Sequence, residues 1–273
     1  MSRARQAGVR VSTKDIFFHQ TIAELVVSVV AEPVAAVVPS EVVVGPAPLT
    51  PIQRWFFATY GALAHFNQSF AVELTEDLDQ DALSAAVDAL VAHHPELRMR
   101  FSQIEGHWRQ DIAPTSSAVL ERRDLSDLAE GDRRAVMEQA ARSAQSGLDI
   151  TRGPVLRAVL FDVGPGHRAW LFIAIHHLVV DGVSWRILLS DLETAYHQAR
   201  GGGPVGLEPV GTAFTQWAHR LMGHVQAGGL DGDLGYWSAL SQEVWPDLPV
   251  ARAGVNTAGS GRTVTVRLGR EDT

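Results

Sequence analysis

The residue types best suited to chemistry in this chain are two adjacent histidines and a nearby aspartate. His176 and His177 end an apolar run, and Asp181 follows four residues after His177. Imidazole changes its charge near neutral pH, so a histidine at the open end of a strand is suited to acid–base chemistry. Neighbouring side chains on a strand face opposite ways, so we expect one ring to point inward and the other toward the opening.

A strand, a turn and a helix are predicted to position these residues. Residues 169–176 are almost continuously apolar, which favours a buried strand, and Ser184 opens an apolar-periodic helix that runs to Arg200. Asp181 lies in the turn, where it could orient the imidazole of His177 as the third group of a triad does. Gly182 beside it indicates a close backbone approach or a positive φ.

The same three polar residues make a poor metal site. Adjacent histidines on a strand diverge, so His176 and His177 cannot easily share one ion with Asp181. The chain also has no cysteine to support them. The sequence therefore predicts no metal and no directly bound cofactor.

Composition excludes several classes of protein. The 273 residues carry a net charge of −8, and no basic stripe is present to neutralise phosphates, so we expect no nucleic-acid partner. The absence of cysteine excludes disulfides and thiolate catalysis, and it is most compatible with the reducing cytoplasm. Glutamates and prolines interrupt the apolar stretch 22–44, which predicts no membrane span.

Three zones divide the chain. Residues 1–30 end in a short predicted helix that Thr21 and Glu24 cap reciprocally, and one such helix cannot bury its own apolar face. Residues 31–48 contain four prolines and are predicted to be an extended linker. Residues 49–273 have mixed α/β patterning, in which the last predicted strand is the alternating segment 262–268.

Several segments resemble, in order, the motifs of one family: the condensation superfamily of nonribosomal peptide synthetases. The segments are PLTPIQRWFF (48–57), HHPELRMRF (93–101), HHLVVDGVSW (176–185), TAFTQWAHRL (212–221) and the pair Tyr236–Trp237. The segments PIQRWFF, HFNQS (65–69) and DGVSWRILL are similar in sequence to the corresponding motifs of epimerization domains. This resemblance implies an α/β fold, the chloramphenicol acetyltransferase-like sandwich, in the region from residue 49 onward.

The resemblance also implies a domain organisation and a set of partners. Family members have two similar halves that form a V-shaped cleft, and residues 49–273 resemble the N-terminal half of an epimerization domain. Residues 1–30 resemble the C-terminal tail of a peptidyl carrier domain without its phosphopantetheine-bearing serine. The expected partners are thus a carrier domain that delivers the substrate on its phosphopantetheine arm, the C-terminal half of the domain, and other synthetase modules.

Residue roles follow from the resemblance. His177 is the expected catalytic base, and His176 is expected to be structural. The resemblance implies that Asp181 forms a structural salt bridge with Arg98, rather than orienting the imidazole, and that Gly182 supports the site. The residues that could line the cleft are Asn67, Gln68, Ser184 and Trp185, although a polar strand edge explains the first two equally well.

The activity implied is epimerization, the conversion of an L-residue to a D-residue at Cα while it is held as a carrier thioester. Two alternatives remain open. A condensation domain would use the same histidine to assist peptide-bond formation between carrier-bound substrates, and a carrier-docking remnant would catalyse nothing. A second glutamate acid/base, proposed for a later family motif, has no counterpart before Thr273. The chain on its own is therefore expected to be an inactive half of an epimerase.

Overall fold

The structure is a computed structural model. It describes residues 9, 11, 13–28, 45–74, 78–115, 119–242, 254, 257–269 and 271. The predicted linker therefore lies largely outside the described residues. No helix in the described part of the chain has both the length and the apolar character needed to cross a bilayer.

Helices and strands alternate along most of the chain, as the sequence predicts. The helices are α1 (Thr13–Phe18), α2 (Ile22–Ser28), α3 (Pro51–Tyr60), α4 (Gln80–His93), α5 (Glu130–Ser146), α6 (Ser184–Arg200), α7 (Phe214–Gln226) and α8 (Asp231–Gln242). The strands are β1 (Pro46–Ala47), β2 (Asn67–Glu73), β3 (Met99–Ile104), β4 (His107–Ile112), β5 (Leu120–Asp124), β6 (Leu156–Asp162) and β7 (Trp170–His176). Short 3₁₀ helices cover Pro95–Arg98 and Ala258–Ser260.

Four strands form the sheet that carries the histidines, in the order β2-β7-β6-β5. Strand β7 lies in the interior of this sheet and is antiparallel to both of its neighbours. Strands β5 and β6 are parallel, and α5 is the crossover helix between them. Strands β6 and β7 form a hairpin whose connection includes residues 164–167.

Helices cover both faces of the four-stranded sheet. Alternate residues such as Leu160 and Ile173 face one way, where they form a core with residues of α4 and α6. The intervening residues, such as Val159 and Phe172, face the other way and pack with Ala144 of α5. Side-chain alternation along each strand thus builds two separate cores, one on each face. The predicted mixed α/β layering is confirmed.

A second sheet, in the order β1-β4-β3, lies in the same compact unit. Phe57 of α3 stacks on Trp108 of β4, with ring centroids 4.1 Å apart, and it also contacts Phe101 of β3. Helix α3 begins after Thr50, whose backbone N–H donates to Gln53 at 3.0 Å. Helix α3 thus has Pro51 in its first position, where a missing backbone N–H costs no hydrogen bond.

The N-terminal segment contains two short helices where the sequence predicts one. The expected reciprocal cap of α2 is present, because Thr21 and Glu24 exchange bonds of 3.3 and 3.2 Å. Apolar side chains on both helices remain exposed, as Phe17 on α1 and Val27 on α2 illustrate. Helices this short gain little stability without a packed face.

The chain separates into two compact units, Met1–Ala227 and Gly228–Thr273. Helix α8 belongs to the second unit and fits the helical pattern of the sequence. The strand predicted at 262–268 is wrong, because residues 261–269 have neither helical nor strand structure. A strand needs a hydrogen-bonded neighbour, and within the described residues no strand pairs with this segment; Val264 is 83% exposed.

Candidate active site

His177 lies directly after the C-terminal end of β7, an interior strand. Its backbone N–H donates to the carbonyl of Phe66, which extends the β2–β7 pairing by one residue. Its ring is partly buried and stacks on the Phe66 ring, with centroids 4.9 Å apart and planes inclined by 20°. The structure therefore places the His177 side chain at the end of a strand, as the sequence predicts.

The two ring nitrogens of His177 have different partners. Nδ1 lies 2.7 Å from the carbonyl oxygen of Val180, and Nε2 lies 3.2 Å from the amide nitrogen of Gln68. A carbonyl oxygen only accepts hydrogen bonds, so Nδ1 carries the proton of the neutral ring. Nε2 then has a lone pair, which is what a general base uses to take up a proton.

His176 points the other way and is fully buried. Its Nε2 donates to the carbonyl of Leu63 at 3.0 Å, and its Nδ1 accepts from the backbone N–H of Leu178 at 3.2 Å. Burial lowers the pKa of His176, the bond to Leu63 opposes this shift, and the neighbouring His177 adds to it. The ring is thus held neutral by backbone groups on both sides, in the tautomer opposite to that of His177.

Gln68 connects His177 to Trp185. Trp185 is 3% exposed and donates from its indole N–H to the amide oxygen of Gln68 at 2.9 Å. The other end of the same amide faces His177. Gln68 and Trp185, both expected to line the cleft, are therefore brought to the histidine that the sequence singles out.

Asp181 stabilises the start of α6. Its Oδ1 accepts from the backbone N–H of Val183 at 3.0 Å and from the N–H and hydroxyl of Ser184 at 2.8 and 2.7 Å. The hydroxyl and backbone bonds from Ser184 are the main reasons why the pKa of Asp181 lies below its ordinary value. Ser184 therefore serves the helix start, whereas the resemblance implies a place in the cleft lining.

The expected ion pair between Asp181 and Arg98 is wrong. Arg98 lies in the 3₁₀ helix, is 7% exposed, and donates to the carbonyl oxygen of Ala113 at 3.0 Å. Among the described residues its buried Nε has no hydrogen-bond partner, and burial lowers the pKa of its guanidinium. The carboxylate of Asp181 instead accepts hydrogen bonds from backbone N–H groups in its own turn, which lie much nearer to it along the chain than Arg98 does.

Gly182 also differs from its expected role. Its φ is not positive, and a Cβ built at this position would meet no atom of the described part of the chain within 4 Å. The turn is shaped by the hydrogen bonds of Asp181, so it needs neither a left-handed residue nor a close backbone approach. Asn67 keeps its side chain local, where its amide nitrogen lies 3.4 Å from the carbonyl of His65.

Replacing Asp181 with alanine is expected to lower the free energy of unfolding by about 1 kcal/mol, because helix N-terminal N–H groups lose their acceptor. The lowered pKa of Asp181 means that its contribution is complete above the usual carboxyl value of 3.8 and is lost as the pH falls through the folded value. Urea unfolding of both proteins at pH 7 and at low pH measures this difference.

The matched control for Asp181→Ala is Asp127→Ala. Asp127 is also an acidic residue in a turn, but it lies far from Asp181 along the chain. An unfolding free energy of Asp181→Ala equal to that of the unaltered protein at pH 7 would contradict the capping role. A difference that persists undiminished at low pH would do so as well.

One cluster in the described residues has metal-ligating side chains: His93, His94 and Asp191, whose donor atoms lie within 4.8 Å of one another. His94 Nε2 and Asp191 Oδ2 are 2.8 Å apart, so these two groups already satisfy each other. This bond joins the end of α4 to α6, which explains the cluster without an ion.

Comparison with known proteins places this geometry in a family. The family model of the condensation domain matches residues 43–273. This chain belongs to the condensation domain family. It is therefore a domain of the nonribosomal peptide synthetase condensation superfamily, whose chloramphenicol acetyltransferase-like fold the sequence motifs imply.

Two relatives are different subunits of linear gramicidin synthase from Brevibacillus parabrevis. An alignment of 276 positions, which covers 100% of this chain and 5% of that protein, gives 38% identity to one of them. An alignment of 285 positions, which covers 100% of this chain and 4% of that protein, gives 40% identity to the other. The chain thus spans only a small part of these relatives.

Two solved structures share the fold. The epimerization domain from the third module of tyrocidine synthetase B superimposes with a TM-score of 0.70 at 32% identity, over 78% of this chain and 49% of that chain. The starter condensation domain of the rhizomide synthetase superimposes with a TM-score of 0.63 at 17% identity, over 74% of this chain and 48% of that chain. The second similarity supports the fold alone.

Proposed function

We propose that this chain is the histidine-bearing half of an epimerization domain, which inverts Cα of an aminoacyl or peptidyl residue held as a carrier-protein thioester. The observation that carries the proposal is the lone pair on Nε2 of His177, because Nδ1 is committed to the carbonyl of Val180. The 32% identity to an epimerization domain and the segment DGVSWRILL support this activity.

The proposed reaction moves one proton off Cα and returns one to the opposite face. The thioester carbonyl withdraws the electron pair of the broken C–H bond, and Nε2 of His177 gains the proton. An acid on the other side of the cleft then protonates the planar carbon, and the two groups reset through solvent. We assign that acid to the second half of the domain, because the chain aligns with 49% of the epimerization-domain structure.

The substrate and partner assignments belong to the same proposal. Residues 1–30 contain no match to the serine motif that bears the phosphopantetheine arm, so a carrier domain has to bring the thioester to His177. In the proposed organisation, residues 1–30 are the tail of a preceding carrier domain, 31–48 are a linker, and 49–273 are the half-domain. The last part of the predicted linker joins the half-domain, because Pro46–Ala47 form strand β1 and pair with β4. Other synthetase modules would supply and consume the carrier-bound residue.

The proposed organisation predicts where proteases cut first. Residues 31–48 contain four prolines and no helical period, so limited proteolysis is expected to cleave there before it cleaves the unit that contains the two sheets. Mass spectrometry of early fragments after brief treatment with a broad-specificity protease identifies the site. First cleavage within residues 49–227, with 31–48 intact, would contradict the linker assignment.

Condensation is the second candidate activity, because the family model that matches residues 43–273 is that of the condensation domain. The two activities have different products from the same carrier-bound residue. A complete domain, assembled from this chain and the remaining half, should be given a donor aminoacyl carrier thioester together with a second, acceptor aminoacyl carrier thioester in deuterated water. Epimerization incorporates deuterium at Cα and yields the D-residue, whereas condensation requires an acceptor and yields a peptide. Peptide formation without Cα exchange would overturn the proposal in favour of condensation. If neither product forms, the chain is better explained as a carrier-docking remnant that catalyses nothing.

A further inference from the structure

We propose that Gln68 is a positioning residue for His177: oriented by the indole of Trp185, its amide donates to Nε2 and selects the tautomer in which this nitrogen is unprotonated. The functional meaning of this role rests on the proposed function, because Nε2 is the atom assigned to remove the proton. The hydrogen-bond arrangement itself can be measured without substrate.

The orientation of the Gln68 amide is fixed by chemistry. An amide side chain has one end that accepts and one that donates, and its two ends are similar in shape. The indole N–H of Trp185 only donates, and it lies 2.9 Å from Oε1 of Gln68. The amino end must then face His177, where it lies 3.2 Å from Nε2. A flipped amide would place two donors against each other at Trp185.

Two independent contacts select the same tautomer of His177. The carbonyl of Val180 at 2.7 Å requires a proton on Nδ1, and the amino group of Gln68 requires a lone pair on Nε2. Neither partner could satisfy the other tautomer. The ring is therefore neutral and has its basic nitrogen on the side of β2.

Packing orders this arrangement in the protein without substrate. Gln68 pairs with Ile175 across the β2–β7 ladder, which places it diagonally beside His177 on the same face of the sheet. Trp185 is buried in the core and contacts the ring of Phe70, with centroids 4.7 Å apart. An amide held at one end by a buried indole loses little further entropy when it binds the imidazole.

The arrangement also defines what happens when His177 acts. Nε2 has one lone pair, so the α-hydrogen of a substrate and the amide of Gln68 compete for it. Substrate binding therefore has to move the amide away, and Gln68 occupies the site of proton transfer in the resting protein. His177 also acts electrostatically on two neighbouring groups, because it contributes to the lowered pKa of His176 and to that of Asp181.

The test is nitrogen NMR of the imidazole rings in this chain, with ¹⁵N-labelled histidine and no substrate. At pH 8 the unaltered protein should show Nδ1 of His177 protonated and Nε2 unprotonated. In Gln68→Glu a carboxylate can still accept from Trp185, but it now offers Nε2 an acceptor. The Nε2 resonance should therefore shift to that of a protonated nitrogen, while Nδ1 keeps its proton for Val180.

Trp185→Phe is the second variant, because it removes the donor that orients the amide and leaves Gln68 in place. The amide of Gln68 can then turn its oxygen toward His177, which favours a ring with a protonated Nε2. This second ring state should appear as a partial shift of the Nε2 resonance. Gln145→Glu is the matched control, because Gln145 donates to Ser69 at 3.1 Å from helix α5 and makes no bond to His177. Its histidine spectrum should match that of the unaltered protein, with resonances assigned through His177→Asn.

An Nε2-protonated ring in the unaltered protein would overturn the inference, and so would an unshifted Nε2 resonance in Gln68→Glu when the control variant is folded. If Gln68→Glu does not fold, an unshifted resonance in Trp185→Phe overturns it. Failure of the proposed function has a different signature. In that case, the tautomer results hold, but the assembled domain exchanges no hydrogen at Cα.

Discussion

Replacing His177 with alanine in the assembled domain is expected to lower the rate of Cα proton exchange by about 10²–10⁴-fold, the usual contribution of a positioned general base. The reason is local, because alanine removes the lone pair at Nε2 while the strand end that carries it stays in place. His176 cannot substitute, because its ring is fully buried and its unprotonated nitrogen, Nδ1, accepts from the backbone N–H of Leu178. The measurement is the initial rate of deuterium incorporation and the D/L ratio of the released residue.

The matched control is His167→Ala, which alters a histidine in the exposed turn between β6 and β7 and should retain full activity. His177→Asn is a further useful variant. Its amide can still donate to Val180 and preserve the loop, yet it supplies no base, so it should be as inactive as His177→Ala. Exchange at the unaltered rate in either His177 variant would remove this residue from the mechanism.

The second large effect is the difference in epimerization activity between this chain alone and the chain supplied with the remaining half of the domain. We expect no measurable D-product from the chain alone, because positioning of the reacting groups is worth about 7–11 kcal/mol and half of the proposed cleft is missing. Adding the remaining half as a separate protein should restore activity that depends on His177. Chiral analysis of the residue released from the carrier measures both states.

Exposed apolar side chains support this expectation. Val183 and Ile187, at the start of α6 beside the site, are 70% and 53% exposed, and Phe70 is 43% exposed. Apolar surface of this kind promotes self-association, so the size of the isolated chain should be checked by light scattering before activity is compared. Robust D-product from the monodisperse chain alone would contradict the half-domain proposal, whereas restored activity that survives His177→Ala would contradict the assigned base.

The strand–turn–helix segment around the histidines can be predicted from sequence because its signals are local. Apolar residues before His176 and apolar periodicity after Ser184 predict β7 and α6, which the structure contains. The opposite directions of His176 and His177 follow from strand geometry alone. The mixed α/β fold is predictable for the same reason, since each element carries its own pattern.

The partners of the site residues are harder to predict. The resemblance pairs Asp181 with Arg98, although Asp181 and Ser184 have the spacing of a helix-start motif that indicates a local cap. The link from His177 to Gln68 spans 109 residues and depends on the register of β2 against β7. No local pattern specifies such a register, so the function of Gln68 can be recognised only in the folded structure.

The pairing of β2 with β7 also has a consequence for how the protein is made. Asn67 pairs with His176 and Glu73 pairs with Trp170, so β2 leaves the ribosome about a hundred residues before its partner. At ordinary translation rates of about 5–20 residues per second, β2 waits for several seconds with an open edge. During this interval its aromatic residue, Phe70, is available to chaperones or to another nascent chain. The histidine site is accordingly assembled late in synthesis, when the ring of His177 and the amide of Gln68 first meet.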